Sequence, residues 1–423
     1  MTVQEGSRIA VNGTRLWDAL MELARIGAYT DDGTGLTGVN RLALTDDEAA
    51  GRRLVMEWMR DAGLTVRVDA MGNVFGRRAG EDATAAPVLV GSHIDSVATA
   101  GAFDGCLGVL GGIEIARTLN ELGVRTRRPI DVAFFTEEEG VRFGVDMLGS
   151  AVAAGRIPLE TAHALADRHG ITLESELTRH GFLGSEPALL TPPYAYLECH
   201  IEQGPVLAAA GQEIGVVTGV QGISWQEVTV HGRSAHAGTT PTELRADALL
   251  AAAEVVVRLR EMVDSGEFGE LRATVGRLET HPGLTNIVPS RVTFTVDLRN
   301  PSDDRMALAE AALARHLDDL VQRWPGVRTT TRRLARTLPV AFDGRLQDLI
   351  EEEAVVRGLS NARLISGAGH DAQEMAAICP SAMVFVPGEY DGISHNPREY
   401  STPEACARGV DVLASVVLLL AQE

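Results

Sequence analysis

Several apolar segments of the chain are followed, at once or after a short connection, by histidine and acidic residues. The segments are Val88–Gly91, Ile130–Thr136, Tyr194–Cys199 and Met383–Pro387. The residues that follow them are His93, Asp95, Asp104, Glu137, Glu138, Glu139, His200 and His395. Because an open α/β sheet places its site at the carboxyl ends of its strands, we expect these side chains to converge on one crevice. Charges gathered there are costly unless a cation offsets them, and imidazole with carboxylate suits zinc, manganese or cobalt.

The first part of the chain alternates helices with short apolar strands. The predicted helices are Arg15–Gly27, Thr45–Ala62, Gly105–Leu122 and an interrupted helix over Arg142–Ala166. The predicted strands are Thr65–Asp69, Pro87–Gly91, Ile130–Phe135 and Tyr194–Cys199. Continuous apolar strands of this kind are buried on both faces, which favours an α/β fold with a mixed, largely parallel sheet.

The rhythm of helices and strands changes after residue 216. The predicted order there is strand Trp225–His231, helix Leu244–Val263, strands Arg272–Leu278 and Arg291–Arg299, helix Asp304–Trp324 and strand Arg328–Leu334. This β-α-β-β-α-β order is typical of a ferredoxin-like α+β domain. The alternation of helices and apolar strands then resumes with helix Leu346–Gly358, strand Met383–Pro387 and helix Pro403–Gln422. We therefore predict a discontinuous catalytic domain of residues 1–216 and 334–423, with a lid or dimerisation domain of residues 217–333 inserted into it.

The composition excludes several classes of protein. The 423 residues are 45% hydrophobic and 23% charged, which is typical of a globular chain with a large core. A net charge of −20 repels phosphate backbones, so we expect no nucleic-acid partner. The 4 cysteines form no CxxC pair and are expected to be buried thiols. Neither the first residues nor the apolar run Val412–Ala421 predicts a signal peptide or a membrane span, so we expect a cytoplasmic protein without a membrane partner.

The motifs around the candidate ligands resemble those of the dinuclear-metal amidohydrolases and peptidases of the aminoacylase/carboxypeptidase (M20-type) superfamily. These motifs are His93-Ile94-Asp95, Phe103-Asp104-Gly105, Glu138-Glu139-Gly140 and Ser394-His395. Further motifs are similar to the branch of N-carbamoyl-L-amino acid hydrolases, beta-ureidopropionases and allantoate amidohydrolases. They are His200-Ile201-Glu202-Gln203-Gly204-Pro205, Ser234–Pro241 and Gly367–Ala372. The resemblance covers essentially the whole chain, with the motifs in the expected order.

This resemblance implies two divalent metal ions per subunit, with zinc first and manganese, cobalt or nickel as alternatives. The ligands that it implies are His93, Asp104, Glu139, His200 and His395, with Asp104 bridging both ions. The position of the general base falls on Glu138. The residues alone leave Glu137, Glu138 and Glu139 open for that role. A histidine at position 200, with Gln203 after it, favours the carbamoyl-cleaving branch over the peptidases.

The resemblance also implies a set of substrate-binding groups. Arg299 would clamp a carboxylate, a task suited to a guanidinium, although a surface ion pair is the alternative. Asn286, Gln203 and the backbone at Gly369 would hold polar groups of the substrate, with a plain turn residue as the alternative for Asn286. His236 would polarise the carbonyl oxygen as charge develops on it, and it would act from the neighbouring subunit of a two-fold dimer formed through the inserted domain.

The function that these implications favour is hydrolysis of the ureido C–N bond of N-carbamoyl-L-amino acids, giving amino acid, ammonia and carbon dioxide. Small departures from the family pattern at Ala98-Thr99 and Thr242 touch no expected ligand. Allantoate amidohydrolase or 3-ureidopropionate hydrolase is the alternative, because side-chain pockets rather than catalytic residues separate these substrates. A peptidase or aminoacylase is disfavoured by His200 and Gln203. A catalytically silent binding protein has no physical reason to keep the charged cluster with Glu138.

Overall fold

The computed structural model describes residues 9–423, which form two compact units. The first unit consists of the chain up to Gly219 together with Ala341–Glu423, and the second unit of Val220–Val340. The predicted domain boundaries at 217 and 333 stay a prediction.

The α-helices and strands of the described residues have the following bounds. The helices are α1 (Gly13–Leu23), α2 (Asp46–Asp61), α3 (Cys106–Glu121), α4 (Leu148–Ala153), α5 (Leu159–His163), α6 (Leu173–His180), α7 (Val206–Ala210), α8 (Ala248–Asp264), α9 (Asp303–Arg323), α10 (Gly344–Val356), α11 (Asp371–Met375) and α12 (Pro403–Gln422). The strands are β1 (Ala28–Thr30), β2 (Thr37–Val39), β3 (Thr65–Val68), β4 (Val74–Arg78), β5 (Val88–His93), β6 (Ile130–Phe135), β7 (Ala195–Ile201), β8 (Ile214–Val220), β9 (Gly222–His231), β10 (Ala235–His236), β11 (Arg272–Thr274), β12 (Leu278–His281), β13 (Ile287–Val288), β14 (Arg291–Asn300), β15 (Arg328–Thr337), β16 (Val340–Ala341), β17 (Asn361–Ser366) and β18 (Ser381–Val386).

A 9-stranded sheet with the order β16-β8-β18-β7-β5-β6-β4-β3 forms the centre of the first unit, with β17 paired to β8. Strands β18, β7, β5 and β6 are parallel to one another. Strand β8 pairs antiparallel with β18, β4 with β6, and β3 with β4. Every residue of the four parallel strands is buried, as expected for strands covered on both faces. The predicted α/β class with a mixed, largely parallel sheet is confirmed.

Helices α3 and α12 pack against the parallel strands. Glycines in α3 allow a close approach, since a Cβ added at Gly108 would lie 2.8 Å from the carbonyl oxygen of Cys199 in β7. Helix α12 starts at the capping residue Thr402 and buries its apolar residues in the same core. All four cysteines are free and buried, as predicted.

Two segment predictions are wrong in detail. The helix expected from Arg142 starts only at Leu148, because the Glu137 carboxylate accepts the backbone N–H groups of Arg142 and Phe143 and holds that stretch as a loop. The strand expected over Arg272–Leu278 is divided between β11 and β12, which pair with different stretches of β14. Strands β4, β8 and β17 of the central sheet were not predicted.

The second unit contains a 5-stranded sheet with the order β11-β14-β9-β15 and with β12 beside β14. All of these pairings are antiparallel. Along β9 and β14 buried residues alternate with partly exposed ones, and α8 and α9 pack on the buried face. The sequence β9-α8-β11-β14-α9-β15 and this strand order are those of a split β-α-β arrangement. Over residues 9–423, no helix combines the length and the apolar character that crossing a membrane requires.

Candidate metal centre

The predicted ligands of the first unit lie at the carboxyl ends of the parallel strands. His93 is the last residue of β5, and His200 lies next to the end of β7. Glu138 and Glu139 follow β6, and His395 lies in the loop after β18. Asp104 precedes Gly105, the N-cap residue of α3. The topology of the parallel sheet therefore brings together residues that are far apart in the sequence.

Two groups of ligand-type side chains meet at Asp104. Its Oδ1 lies 3.1 Å from His200 Nε2 and 3.6 Å from His93 Nε2. Its Oδ2 lies 3.3 Å from His395 Nε2, which is 3.4 Å from Glu139 Oε2. Within each group the ligand atoms all lie within 4.8 Å of one another. Each oxygen of one carboxylate thus faces a different group, which is the arrangement of a bridging ligand.

Backbone carbonyls orient the two buried histidines of this cluster. His93 Nδ1 is 3.0 Å from the carbonyl oxygen of Asp95, and His200 Nδ1 is 2.8 Å from that of Ile201. A hydrogen bond from Nδ1 to a carbonyl holds each ring with its Nε2 turned away from that carbonyl. Both Nε2 atoms face Asp104 Oδ1, and His200 Nε2 also lies 3.1 Å from the backbone nitrogen of Gly105.

The structure distinguishes the three members of the acidic triplet. Glu137 Oε1 accepts the N–H groups of Arg142 at 3.0 Å and Phe143 at 2.6 Å, so its carboxylate is used within its own loop. Glu138 Oε2 lies 3.4 Å from His93 Nε2, and Glu139 belongs to the group with His395. The Asp95 carboxylate accepts the N–H groups of both Glu138 and Glu139. The loop thus directs two adjacent carboxylates into the cluster.

The electrostatics of the cluster indicate a site for cations. Burial raises the pKa of Glu138 well above its ordinary value, and burial with the Asp104 charge raises the pKa of Glu139 to about 8. A hydrogen bond to Asp104 raises the pKa of His395 to about 9. Burial disfavours ionised Asp104, but hydrogen bonds from His200, His395 and His93 hold its pKa well below the ordinary value. Carboxylates this crowded need positive charge beside them, as protons or as metal ions.

Gln203 also reaches the shared carboxylate. Its backbone has a φ of 56°, in the left-handed region, and its Nε2 donates to Asp104 Oδ2 at 2.7 Å. Its Oε1 is shielded from solvent and has no hydrogen-bond partner among the described residues. A buried acceptor without a donor is costly, which favours a bound group that supplies the donor.

Sequence reasoning missed a third group at this edge of the sheet, formed by Glu198, His200 and His370. The oxygens of Glu198 accept from the hydroxyls of Ser92 and Tyr196, and His370 Nε2 is 2.9 Å from Ser366 Oγ. Burial and the His200 charge hold the pKa of His370 well below its ordinary value, so its ring is neutral. An acidic residue inside the apolar run Tyr194–Cys199 was the signal that could have identified Glu198.

The predicted substrate residues are divided between the two units. Gln203 and Gly369 belong to the first unit, where a Cβ added at Gly369 would lie 2.9 Å from Met147 Cε. His236, Asn286 and Arg299 belong to the second unit.

Within the second unit, the backbone joins two of these residues. Ala237 N–H donates to the carbonyl of Asn286, and His236 of β10 pairs with Ile287 of β13, so the exposed side chains of His236 and Asn286 lie on adjoining segments. Arg299, on β14, lies 3.1 Å from the Asp297 carboxylate, with both side chains partly exposed. An exposed pair of this kind contributes little to stability.

Comparison with known proteins identifies the family. The model of peptidase family M20/M25/M40 matches residues 89–419. An N-carbamoyl-L-amino-acid amidohydrolase of Rhizobium meliloti is 41% identical over 99% of this chain and 98% of its own, and an allantoate amidohydrolase of Bacillus subtilis is 32% identical over 99% and 100%. The crystal structure of an amidase of the hydantoinase/carbamoylase family from Burkholderia multivorans is 46% identical, covers 98% of this chain and 99% of its own, and superposes with a TM-score of 0.94. The resemblance of the motifs is confirmed, and the chain belongs to peptidase family M20/M25/M40.

Proposed function

We propose that this protein hydrolyses the ureido C–N bond of N-carbamoyl-L-amino acids. The observation that carries the proposal is the pair of ligand groups sharing Asp104, with the carboxylate of Glu138 3.4 Å from His93. Support also comes from His200 and Gln203, which distinguish the carbamoyl-cleaving branch, and from the amidohydrolase of Rhizobium meliloti.

The residues of the cluster fit two divalent ions. His93, His200 and Asp104 would hold one ion, and Asp104, Glu139 and His395 the other. Three imidazoles with carboxylates suit zinc first, with manganese, cobalt or nickel as alternatives. When bound, two such ions activate water as a nucleophile and polarise the substrate carbonyl.

Glu138 moves the proton in this mechanism. Burial raises the pKa of its carboxyl, which strengthens the carboxylate as a base toward water. Glu138 accepts the proton of the attacking water as the new C–O bond forms at the ureido carbon, and returns it to the nitrogen that leaves. The C–N bond to the amino-acid nitrogen breaks as that nitrogen takes the proton, which releases the amino acid. The carbamic acid that remains decomposes to ammonia and carbon dioxide.

Residues from the two units would recognise the rest of the substrate. The Arg299 guanidinium would bind the carboxylate, with Asn286, Gln203 and the backbone of Gly369 holding the remaining polar groups. His236 is exposed at the end of β10, and its Nδ1 accepts the N–H groups of Gly238 and Thr239. These bonds leave Nε2 free to donate to a developing oxyanion. We propose that His236 does so in the partner subunit of a homodimer formed through the second unit.

Allantoate hydrolysis is the second candidate function, supported by the 32% identical amidohydrolase of Bacillus subtilis. Allantoate and 3-ureidopropionate share the ureido group, so the metal ligands do not discriminate among these substrates.

A substrate panel tests the proposal. Release of the free amino product is measured with a set of N-carbamoyl-L-amino acids, with 3-ureidopropionate, and with a dipeptide and an N-acetyl amino acid as controls. Ammonia release is measured for the ureido substrates, including allantoate. We expect the highest kcat/KM with an N-carbamoyl-L-amino acid, loss of turnover with a chelator, and recovery with Zn²⁺, Mn²⁺, Co²⁺ or Ni²⁺. Unchanged turnover in a metal-free preparation contradicts the mechanism, and a preference for the dipeptide contradicts the substrate class.

A further inference from the structure

A buried carboxylate outside the ligand set contacts the segments that carry two of the ligands. Glu399 is 5% exposed. Its Oε1 accepts the backbone N–H groups of Phe103 at 3.0 Å and Asp104 at 3.1 Å. Its Oε2 accepts the hydroxyl of Ser394 at 2.7 Å. One side chain thus holds the backbone of Asp104 and the residue that precedes His395.

The same contacts reach the shared carboxylate itself. Ser394 Oγ lies 3.1 Å from Asp104 Oδ2, the oxygen that faces His395. The hydroxyl of Thr99 adds a second link between the two segments, since it donates to the carbonyl of His395 at 3.2 Å. The position of Asp104 Oδ2 relative to His395 therefore depends on how these two loops are held together.

Packing leaves the Glu399 side chain little freedom to move. A Cβ added at Gly101 would lie 2.5 Å from Glu399 Cβ and 2.7 Å from its Oε1. Gly101 is not among the residues with positive φ, so alanine at this position would press on Glu399 without straining the backbone. This glycine offers a way to displace the carboxylate without removing it.

Glu399 does not serve as a metal ligand in this arrangement. Three donors already occupy its two oxygens, and it is absent from the groups of potential ligands among the described residues. Groups that orient ligands without touching the metal commonly change metal affinity by about 10- to 100-fold when they are removed.

We propose that Glu399 is a positioning residue, which holds Asp104 and the Ser394–His395 segment in register and thereby sets the affinity for the ion bound by Asp104, Glu139 and His395. The proposal rests on the ligand set given under the proposed function. It predicts a larger effect on one of the two ions than on the other, which a general loss of stability does not produce.

Zn²⁺ binding to purified variants tests this role. Equilibrium dialysis gives Zn²⁺ per subunit against free Zn²⁺, and melting of the chelated proteins gives their stability. We expect E399A to bind one equivalent about 10- to 100-fold more weakly and the other with a smaller loss, because Asp104 belongs to both groups. In E399Q, the carbonyl oxygen still accepts both N–H groups and the amide can donate to Ser394, so binding should stay within about threefold of the wild type.

Two controls make the result specific. Asp69 is also a buried carboxylate whose Oδ1 accepts two backbone N–H groups, those of Met71 and Asn73. D69A should lower the melting temperature and keep both Zn²⁺ affinities. E139Q removes a ligand and should lose the same equivalent that E399A weakens more.

Each remaining outcome decides between hypotheses. Wild-type binding of both equivalents by E399A, or equal weakening in D69A, overturns the positioning role. Two tightly bound equivalents in E139Q contradict the ligand set of the proposed function instead. If E399A does not fold, G101A decides: weaker binding of one equivalent supports the role of Glu399, and unchanged binding overturns it.

Discussion

At the scale of single residues, neighbouring carboxylates of one loop have different surroundings. Glu138 lies beside His93, whereas Glu139 belongs to the group with His395 and Asp104. The Glu137 carboxylate accepts hydrogen bonds from backbone N–H groups of its own loop. The sequence alone left the three open, because nothing in a run of identical side chains shows which way each one points. The loop conformation, with a φ of 58° at Glu137, decides this.

The difference between Glu138 and Glu139 can be measured with two substitutions of the same kind. E138Q should keep both metal ions and lose about 10²–10⁴-fold in kcat, because the proton acceptor is gone while the ligands remain. E139Q should lose bound metal, because an amide is a poor substitute for a carboxylate ligand. Metal content per subunit and kcat of the two variants check this. Equal loss of metal in both would show that the roles were assigned wrongly.

At the scale of elements, the junction between Asp104 and helix α3 determines whether the first group of ligands can form. Gly105 has a φ of 65°, and a Cβ there would lie 2.4 Å from His93 Nε2. Glycine is therefore required here for two reasons: the backbone has a positive φ, and a side chain would clash with the His93 imidazole. At the other end of the same helix, Gly123 has a φ of 63° and an added Cβ would meet nothing within 4 Å.

These two glycines form a matched pair for mutation. Both G105A and G123A should lose stability in the metal-free proteins, by about 1–3 kcal/mol for the backbone strain at G123A and by more at G105A, whose added Cβ also meets His93. Only G105A should displace His93 and lose metal affinity. Denaturant melts of the chelated proteins and Zn²⁺ titrations separate the two effects. Equal metal affinities for G105A and G123A would contradict the placement of His93.

The elements also show what could be predicted from the sequence. The buried parallel strands were predictable because a short, continuous apolar run such as Ile130–Phe135 is typical of a strand covered on both faces. Strand β4 was not, since Val74–Arg78 mixes glycine and arginine and is stabilised by its place beside β6. Candidate ligands could be found at strand ends, but Glu399 could not, because its role depends on contacts with Phe103 and Asp104, nearly 300 positions earlier.

At the scale of the whole molecule, the residues predicted to serve the reaction are divided between the two units. The candidate metal ligands all belong to the first unit, and His236 and Arg299 to the second. The homodimer proposed above assigns His236 to the site of the partner subunit. This assignment makes a quantitative prediction, because a site composed of two chains can be restored by mixing defective ones.

H236A and E138Q homodimers should each be nearly inactive. After dissociation and reassociation of a mixture, half of the dimers pair one chain of each kind by chance, and each of these has one intact site of two. Activity should then recover to at most about a quarter of the wild type. Native mass spectrometry confirms the exchange of subunits. Confirmed exchange without recovery would mean that His236 acts within its own chain.

The strand order of the central sheet has a consequence for how the protein is made on the ribosome. Strand β18 lies between β7 and β8, although its residues are synthesised about 180 positions after those of β7. The core that β7 shares with α12 likewise cannot form until Pro403–Gln422 has been synthesised. The second unit, by contrast, is one continuous stretch that ends at Val340. We therefore expect the second unit to fold during translation before strand β18 is available to complete the central sheet.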